Sequence, residues 1–213
     1  LAPPVDFNGD KYSFLPLKLF EQIIYEAKPF GLVGVKLTGG EPLMHPDLME
    51  ILGIVRHEGL SLTIETNGML CTPTVAKEIA KSPRNFVSVS IDGVDAETHE
   101  WIRGVKGSFA KALAAVRNLV EAGIRPQIVM TVMRHNADQI ESIIIMAEKL
   151  GASSVTSKGS DSPREIATEA LSNPSTVTTR SFDPASRMAR TTGGPDAAGA
   201  VGRAQKGERM TAR

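Results

Sequence analysis

The chain has 213 residues, of which 41% are hydrophobic and 23% charged, enough to bury a core as one sizeable domain or as a smaller one with a tail. Its formal net charge is zero, so it lacks the basic field that recruits nucleic acid and the polybasic surface that binds an anionic membrane; the expected partner is a small molecule or a peptide. No apolar run approaches the roughly 20 residues of a membrane span, no basic-then-apolar leader is visible, and the single cysteine, Cys71, excludes an internal disulfide framework and a three-cysteine metal site built by this chain alone, which makes the cytoplasm the expected location.

Leu15, Leu19, Ile23 and Ile24 recur at helical spacing within residues 13–28. A short β-branched run at 33–37 predicts a strand, and residues 45–59 a helix with Pro46 near its first turn and Gly59 as its stop. The next strand spans 60–68 and closes on Asn67-Gly68; a short helix follows at 73–81, then a strand at 86–93 that breaks on Asp92-Gly93. A longer amphipathic helix at 108–122 carries Leu113, Val116, Leu119 and Val120. A strand within 125–136, a helix at 137–150 ended by Gly151, and the start of another strand at 152–155 complete the pattern.

Regular alternation of strand and helix means parallel strands joined by right-handed crossovers, an α/β architecture that is either an open doubly wound sheet or a barrel. In both, ligands sit at the C-terminal ends of the strands. That directs attention to residues 38–41, 65–68, 90–93 and 131–136. Beyond Val155 the composition turns to Ser, Thr, Ala, Gly, Pro and Arg without a sustained period, so residues 156–213 read as disordered. Loss of pattern in mid-strand also reads as a frame change or truncation near Val155, with a natural flexible tail as the alternative. The start at Leu1, not at Met, reads as a fragment or a processed product.

Gly39 and Gly40 remove Cβ where the chain leaves a strand, so the backbone can approach a ligand, and Glu41 is held at that opening, suited to an ammonium group. A plain tight turn would also use Gly-Gly. Thr66 and Asn67 are placed to bond carbonyls or hydroxyls, Ser90 and Asp92 to bond a ribose diol or a carboxylate, although Asn-Gly and Asp-Gly are also ordinary turn pairs. Arg103, between a strand-end loop and a helix start, offers a fork for a carboxylate or is a surface arginine. His45, His57, His99 and His135 are too irregularly spaced for a metal cluster, and Cys71 reads as a half-buried small residue. There is no Ser-His-Asp pattern, P-loop or dinucleotide fingerprint.

Together "LTGGEPLMHPDL", "TIETNG", "VSVSIDGVDAETHEWIRGVKGSF" and "VMTVMRHN" resemble the radical SAM superfamily over residues 11–155, most of all its peptide- and protein-modifying branch with an additional cluster domain, often called SPASM. The resemblance implies a partial (β/α)6 TIM-like barrel at 13–155, incomplete because the first strand and last unit are missing, with a loop at 1–12 before it and the disordered or frame-shifted tail at 156–213 after it. It implies S-adenosylmethionine (SAM) as cofactor, with Gly39, Gly40 and Glu41 on its amino group. Ser90 and Asp92 match the family's ribose and carboxylate contacts, Arg103 less closely, and Thr66 and Asn67 the neighbouring strand end.

In such enzymes a [4Fe-4S] cluster, fed by an external electron donor, reduces the sulfonium, and a 5′-deoxyadenosyl radical takes hydrogen from a peptide, protein or small-molecule substrate. The family's CxxxCxxC cluster loop is absent here, and Cys71 cannot replace its three thiolates. The expectation is therefore an inactive fragment of a radical SAM enzyme with no metal ligands of its own and no assigned catalytic residue. Alternatives are the cyclase of molybdenum cofactor synthesis, whose C-terminal cysteines are absent, and a non-catalytic barrel remnant with at most a nucleoside pocket. An unrelated phosphate-binding barrel would need a late glycine loop, whereas Gly193-Gly194 sits in the tail.

Overall fold

The computed structural model describes residues 14–159 and 179–181. Contacts divide the chain into Leu1–Phe182 and Asp183–Arg213, and all described residues lie in the first of these. Helix α1 (Leu17–Ala27) buries Phe20 and Ile24 and leads through a short 3-10 turn to strand β1 (Gly34–Leu37). A second 3-10 turn, Pro42–Met44, precedes α2 (Leu48–His57), so Pro46 lies before that helix and not in its first turn. There follow β2 (Ser61–Thr66), α3 (Pro73–Ala80), β3 (Asn85–Ser90), α4 (Ala96–Arg103), α5 (Ser108–Glu121), β4 (Gln127–Val132), α6 (Ile140–Leu150), β5 (Ser154–Gly159) and β6 (Thr179–Ser181).

Local chemistry explains most boundaries. Thr72 caps α3 by accepting from the Val75 N–H, with Pro73 fixing the first helical φ. Gly59 and Gly151, both left-handed, end α2 and α6. Helix α4 is absent from the sequence expectations: "AETHEWIR" has no apolar stripe, and its formation rests on the Asp95 cap, whose carboxylate accepts from Thr98 N at 2.8 Å, and on left-handed Gly104 at its end. Arg103 is thereby the last residue of a helix and not a loop residue.

Strands β1 to β5 are parallel and ordered as in the sequence, with β6 antiparallel on β5. Sequential order with right-handed crossovers places every helix on the same face, which is the winding of a barrel segment and not of a doubly wound sheet. The burial pattern agrees. Leu62, Ile64, Val87, Val89, Ile128 and Met130 point to the helices and are at most 1% exposed, meeting Leu52, Ile79, Leu119 and Ile143 from the helix layer. Each such side chain contributes about 1.5–3 kcal/mol by leaving water.

The other sheet face is polar. Register sets Glu65 beside Ser88, Ser88 beside Gln127 and Gln127 beside Ser154. The Ser88 hydroxyl donates to Gln127 Oε1 at 3.3 Å, and Gln127 Nε2 donates to Ser154 Oγ at 3.2 Å and Thr156 Oγ1 at 2.8 Å. Parallel sheets are ordinarily apolar on both faces. A hydrogen-bonded polar row on one of them marks that face as the lining of an interior.

The break expected at Val155 is displaced. Strand β5 runs on to Gly159, held by a six-residue register against β4, and β4 is therefore an interior strand. Backbone pairing, not an apolar pattern, carries this last stretch. Residues 179–181 of the expected tail are likewise ordered, as β6 paired with β5; the rest of that tail, like the loop at 1–12, lies outside the described residues. No helix among the described residues is long and apolar enough to cross a membrane.

Candidate functional site

Parallel strand order brings the C-terminal ends of β1, β2, β3 and β4 side by side, and with them the residues singled out in the sequence. Leaving β1, Gly39 adopts φ +119 with nothing within 4 Å of where its Cβ would stand, so the exposed Gly39-Gly40 pair presents bare backbone. Glu41 then turns its carboxylate sideways to β2. Its Oε1 accepts from the Thr66 hydroxyl at 2.6 Å and from Leu43 N at 3.1 Å, and its Oε2 accepts from Asn67 N at 2.8 Å. The acid thus ties the end of β1 to the end of β2. Half-exposed, it retains acceptor capacity toward the mouth of the sheet.

Thr66 is buried, and its Oγ1 also accepts from Gly68 N at 2.9 Å. Asn67 Oδ1 accepts from Met69 N at 2.8 Å. The two glycine pairs differ in kind. Gly68 has φ +80 and lies where an added Cβ would come within 2.9 Å of Ala115 Cβ, so it serves both a turn and a close helix approach. Gly93 is needed for space alone, because a Cβ there would meet His99 N and Thr98 Cβ at 2.8 Å. Asp92-Gly93 is therefore the seat of α4 on the sheet, not a left-handed turn pair.

Past β3, Ser90 is half-exposed, while Asp92 is 1% exposed. Asp92 repeats the stapling seen at Glu41: its Oδ1 accepts from Thr131 N at 2.7 Å, joining the ends of β3 and β4. Its Oδ2 lies 2.6 Å from Arg103 Nε in an ion pair, although the N–H is not aimed well enough along this contact to count as a hydrogen bond. The backbone of Asp92 is held as well. Its N–H donates to His99 Nδ1 at 3.1 Å and its carbonyl accepts from Asn136 Nδ2 at 2.8 Å.

Two members of this cluster were not singled out from sequence. His99, 1% exposed, has its pKa lowered, chiefly by burial and then by the Arg103 charge, with Asp92 and Glu100 opposing; the neutral ring accepts from Asp92 N. Asn136, fully buried, donates also to Thr131 O at 2.9 Å and accepts from Met133 N at 2.7 Å. "RHN" after a strand is the visible signal, but burial of a loop asparagine is not legible without the fold.

The histidines are dispersed to separate tasks. His45 bonds the Leu15 carbonyl, His57 meets Glu58, and His135 stacks on Trp101 with centroids 4.1 Å apart. Cys71 is 4% exposed, more deeply buried than expected, and burial pushes its thiol up to about 11. Among the described residues no group of three His, Cys, Asp or Glu is placed to hold a metal ion. The donor set does not fit an iron–sulfur cluster, which needs three thiolates where the chain has a single buried thiol. It does fit SAM. Open backbone at Gly39 and Gly40, the Glu41 carboxylate, the Ser90 hydroxyl and the Arg103 guanidinium offer partners for an amine, a diol and a carboxylate.

Residues 4–147 match the sequence model of the radical SAM superfamily. The chain is 37% identical over 132 residues to an AdoMet-dependent heme synthase of Methanosarcina barkeri, covering 62% of this chain and 38% of that protein. It is 35% identical over 133 residues to the mycofactocin maturase MftC of Mycobacterium ulcerans, covering 62% and 36%. It therefore spans little more than a third of the length of these relatives. In structure it resembles Streptococcus suis SuiB bound to S-adenosylmethionine, with TM-score 0.63 and 19% identity over 86% of this chain and 40% of SuiB. SuiB bound to its precursor peptide SuiA gives TM-score 0.63 and 20% identity over 74% and 36%. Sequence and fold agree that the chain belongs to the radical SAM superfamily.

Proposed function

We propose that the ends of β1 to β4 form the SAM-binding edge of a radical SAM enzyme. The carrying observation is that Glu41 and Asp92, from separate loops, tie β1 to β2 and β3 to β4, so that the open backbone at Gly39, the partly exposed Ser90 and the partly exposed Arg103 lie at the C-terminal ends of these strands. Gly39, Gly40 and Glu41 take the amino group; Thr66 and Asn67 hold the adjoining rim; Ser90, Asp92 and Arg103 serve the ribose and carboxylate end. When bound, SAM supplies a sulfonium whose reductive cleavage gives a species able to abstract hydrogen from a C–H bond. The chain's own part is to orient the nucleoside and amino acid ends and to keep water from the interior. Cluster ligands and the electron donor come from outside this segment, and the chain by itself forms no 5′-deoxyadenosine under anaerobic reduction.

The substrate is a peptide or a small molecule. The peptide complex of SuiB, the maturase relative and the polar row Ser88–Gln127–Ser154 on the interior face support a peptide, whose backbone needs many hydrogen bonds. A second reading, a non-catalytic nucleoside-binding remnant, is favoured by the single thiol. Equilibrium dialysis with labelled SAM tests the site common to both. Binding that is displaced by S-adenosylhomocysteine and not by ATP is expected; a folded chain that retains no SAM, or retains ATP equally, refutes it. 5′-Deoxyadenosine formed by this chain alone would refute the assignment of the cluster to another segment.

A further inference from the structure

We infer that Asp92 is a positioning residue which acts on the cofactor only through Arg103, and that the Asp92, His99 and Asn136 cluster exists to aim the Arg103 guanidinium at a carboxylate. This rests on the SAM reading above and divides its residues into those that touch ligand and those that do not. The family resemblance groups Ser90 and Asp92 together, whereas their surroundings differ. Ser90 is half-exposed at the mouth; the Asp92 side chain is 1% exposed and both its oxygens are engaged inside the chain.

Every polar point of Asp92 is held by a different part of the fold. Thr131 N at the end of β4 holds Oδ1, Arg103 at the end of α4 meets Oδ2, His99 within α4 takes the backbone N–H, and Asn136 after β4 donates to the carbonyl. A residue fixed at four points cannot turn to reach a ribose. What it can do is set its neighbour. The contact of Arg103 with Asp92 falls on Nε, no hydrogen bond from Nη1 or Nη2 is found among the described residues, and the Arg103 side chain is 23% exposed. The charge contact at Nε, short but not aligned as a hydrogen bond, keeps the guanidinium beside Asp92 and leaves its outer fork for a bidentate anion. Gln139 braces the same helix from the β4 side, donating to Thr98 Oγ1 at 2.9 Å and accepting from Val94 N at 2.9 Å. The start of α4 is thereby tied to the loop that carries Asn136.

The test compares two ligands that share the nucleoside and differ in the amino acid end: SAM, and 5′-methylthioadenosine, which lacks both amine and carboxylate. Asp92→Asn is the informative variant, because the amide oxygen can still accept from Thr131 N while its NH2 would confront Arg103 Nε. The expected result is a loss of about tenfold or more in SAM affinity, with methylthioadenosine affinity unchanged. Arg103→Gln gives the same pattern, and the double variant loses no more than either single one. Equal losses for both ligands in Asp92→Asn would mean that Asp92 touches the nucleoside, and no loss for either would mean that it does not set Arg103; either overturns the inference while leaving SAM binding intact. If Asp92→Asn fails to fold, Arg103→Gln decides: retained preference for SAM over methylthioadenosine overturns the inference, and lost preference supports it. Failure of the parent chain to bind either ligand overturns the SAM reading and this inference with it.

Discussion

Replacing Glu41 by Gln separates its role as a strut between strands from its role as a charge. The carboxylate accepts three hydrogen bonds, from the Thr66 hydroxyl at 2.6 Å, Asn67 N at 2.8 Å and Leu43 N at 3.1 Å. In Glu41→Gln the amide oxygen can keep the first and third, since both fall on Oε1, but the NH2 then faces the Asn67 N–H. An unanswered donor in a partly buried site costs about 1–3 kcal/mol. Glu41→Ala leaves all three donors without this acceptor. Part of that loss is recovered because the Thr66 hydroxyl can turn and Asn67 can reach water, so about 2–4 kcal/mol is expected, more than for Gln. Urea unfolding followed by the fluorescence of Trp101, the chain's one tryptophan, measures both. Variants within about 0.5 kcal/mol of the parent, or Gln costing more than Ala, would refute the strut.

Gly68→Ala and Gly39→Ala should differ although both replace a left-handed glycine. At Gly68 the new methyl also lies 2.9 Å from Ala115 Cβ and 3.2 Å from Val89 Cγ1, which adds overpacking of about 1–3 kcal/mol to the backbone cost, whereas at Gly39 the space is open; equal losses in unfolding free energy would contradict this. His99 is buried and its folded pKa is lowered, so its contribution is fully present above the unfolded value near 6.5 and is lost as pH falls from there through the folded value, at no more than about 1.4 kcal/mol per pH unit. His99→Gln should remove that slope from a stability-versus-pH series. Asp95, held below its ordinary value mainly by the Thr98 N–H, acts in a separate window, its contribution being present above the unfolded value of 3.8 and lost as pH falls through the folded one. The Cys71 thiol, buried and pushed up to about 11, should resist iodoacetamide at pH 8 until urea unfolds the chain; ready labelling of the native protein would contradict its placement.

The alternation of apolar runs was enough to place five parallel strands and the strand ends that carry the candidate site, because strand and helix periods survive without tertiary information. The choice between barrel and open sheet was not legible from period alone. It depends on which face the crossovers take, and the polar row through Ser88 and Gln127 shows the interior only once register aligns residues 39 apart. Helix α4 escaped notice because caps, not an apolar stripe, define it, and with it went the position of Arg103. Gly39, Gly40, Glu41, Thr66 and Asn67 were legible as a strand-end set, yet their mutual bonds were not, since a carboxylate beside bare backbone looks the same whether it faces a ligand or a neighbouring strand. His99 carries no local signal, and Asn136 only its place in "RHN" after a strand. Their importance arises from burial around Asp92, which only the fold creates.

The most direct test of the central claim is a titration of the isotopically labelled chain with SAM, followed by backbone amide chemical shifts. The account predicts changes concentrated at Gly39, Gly40, Asn67 and Ser90, with saturation at one equivalent bound. Absence of changes in a folded chain, or changes centred instead on the outer groove between α1 and α2 around Gly53 and His57, would contradict it.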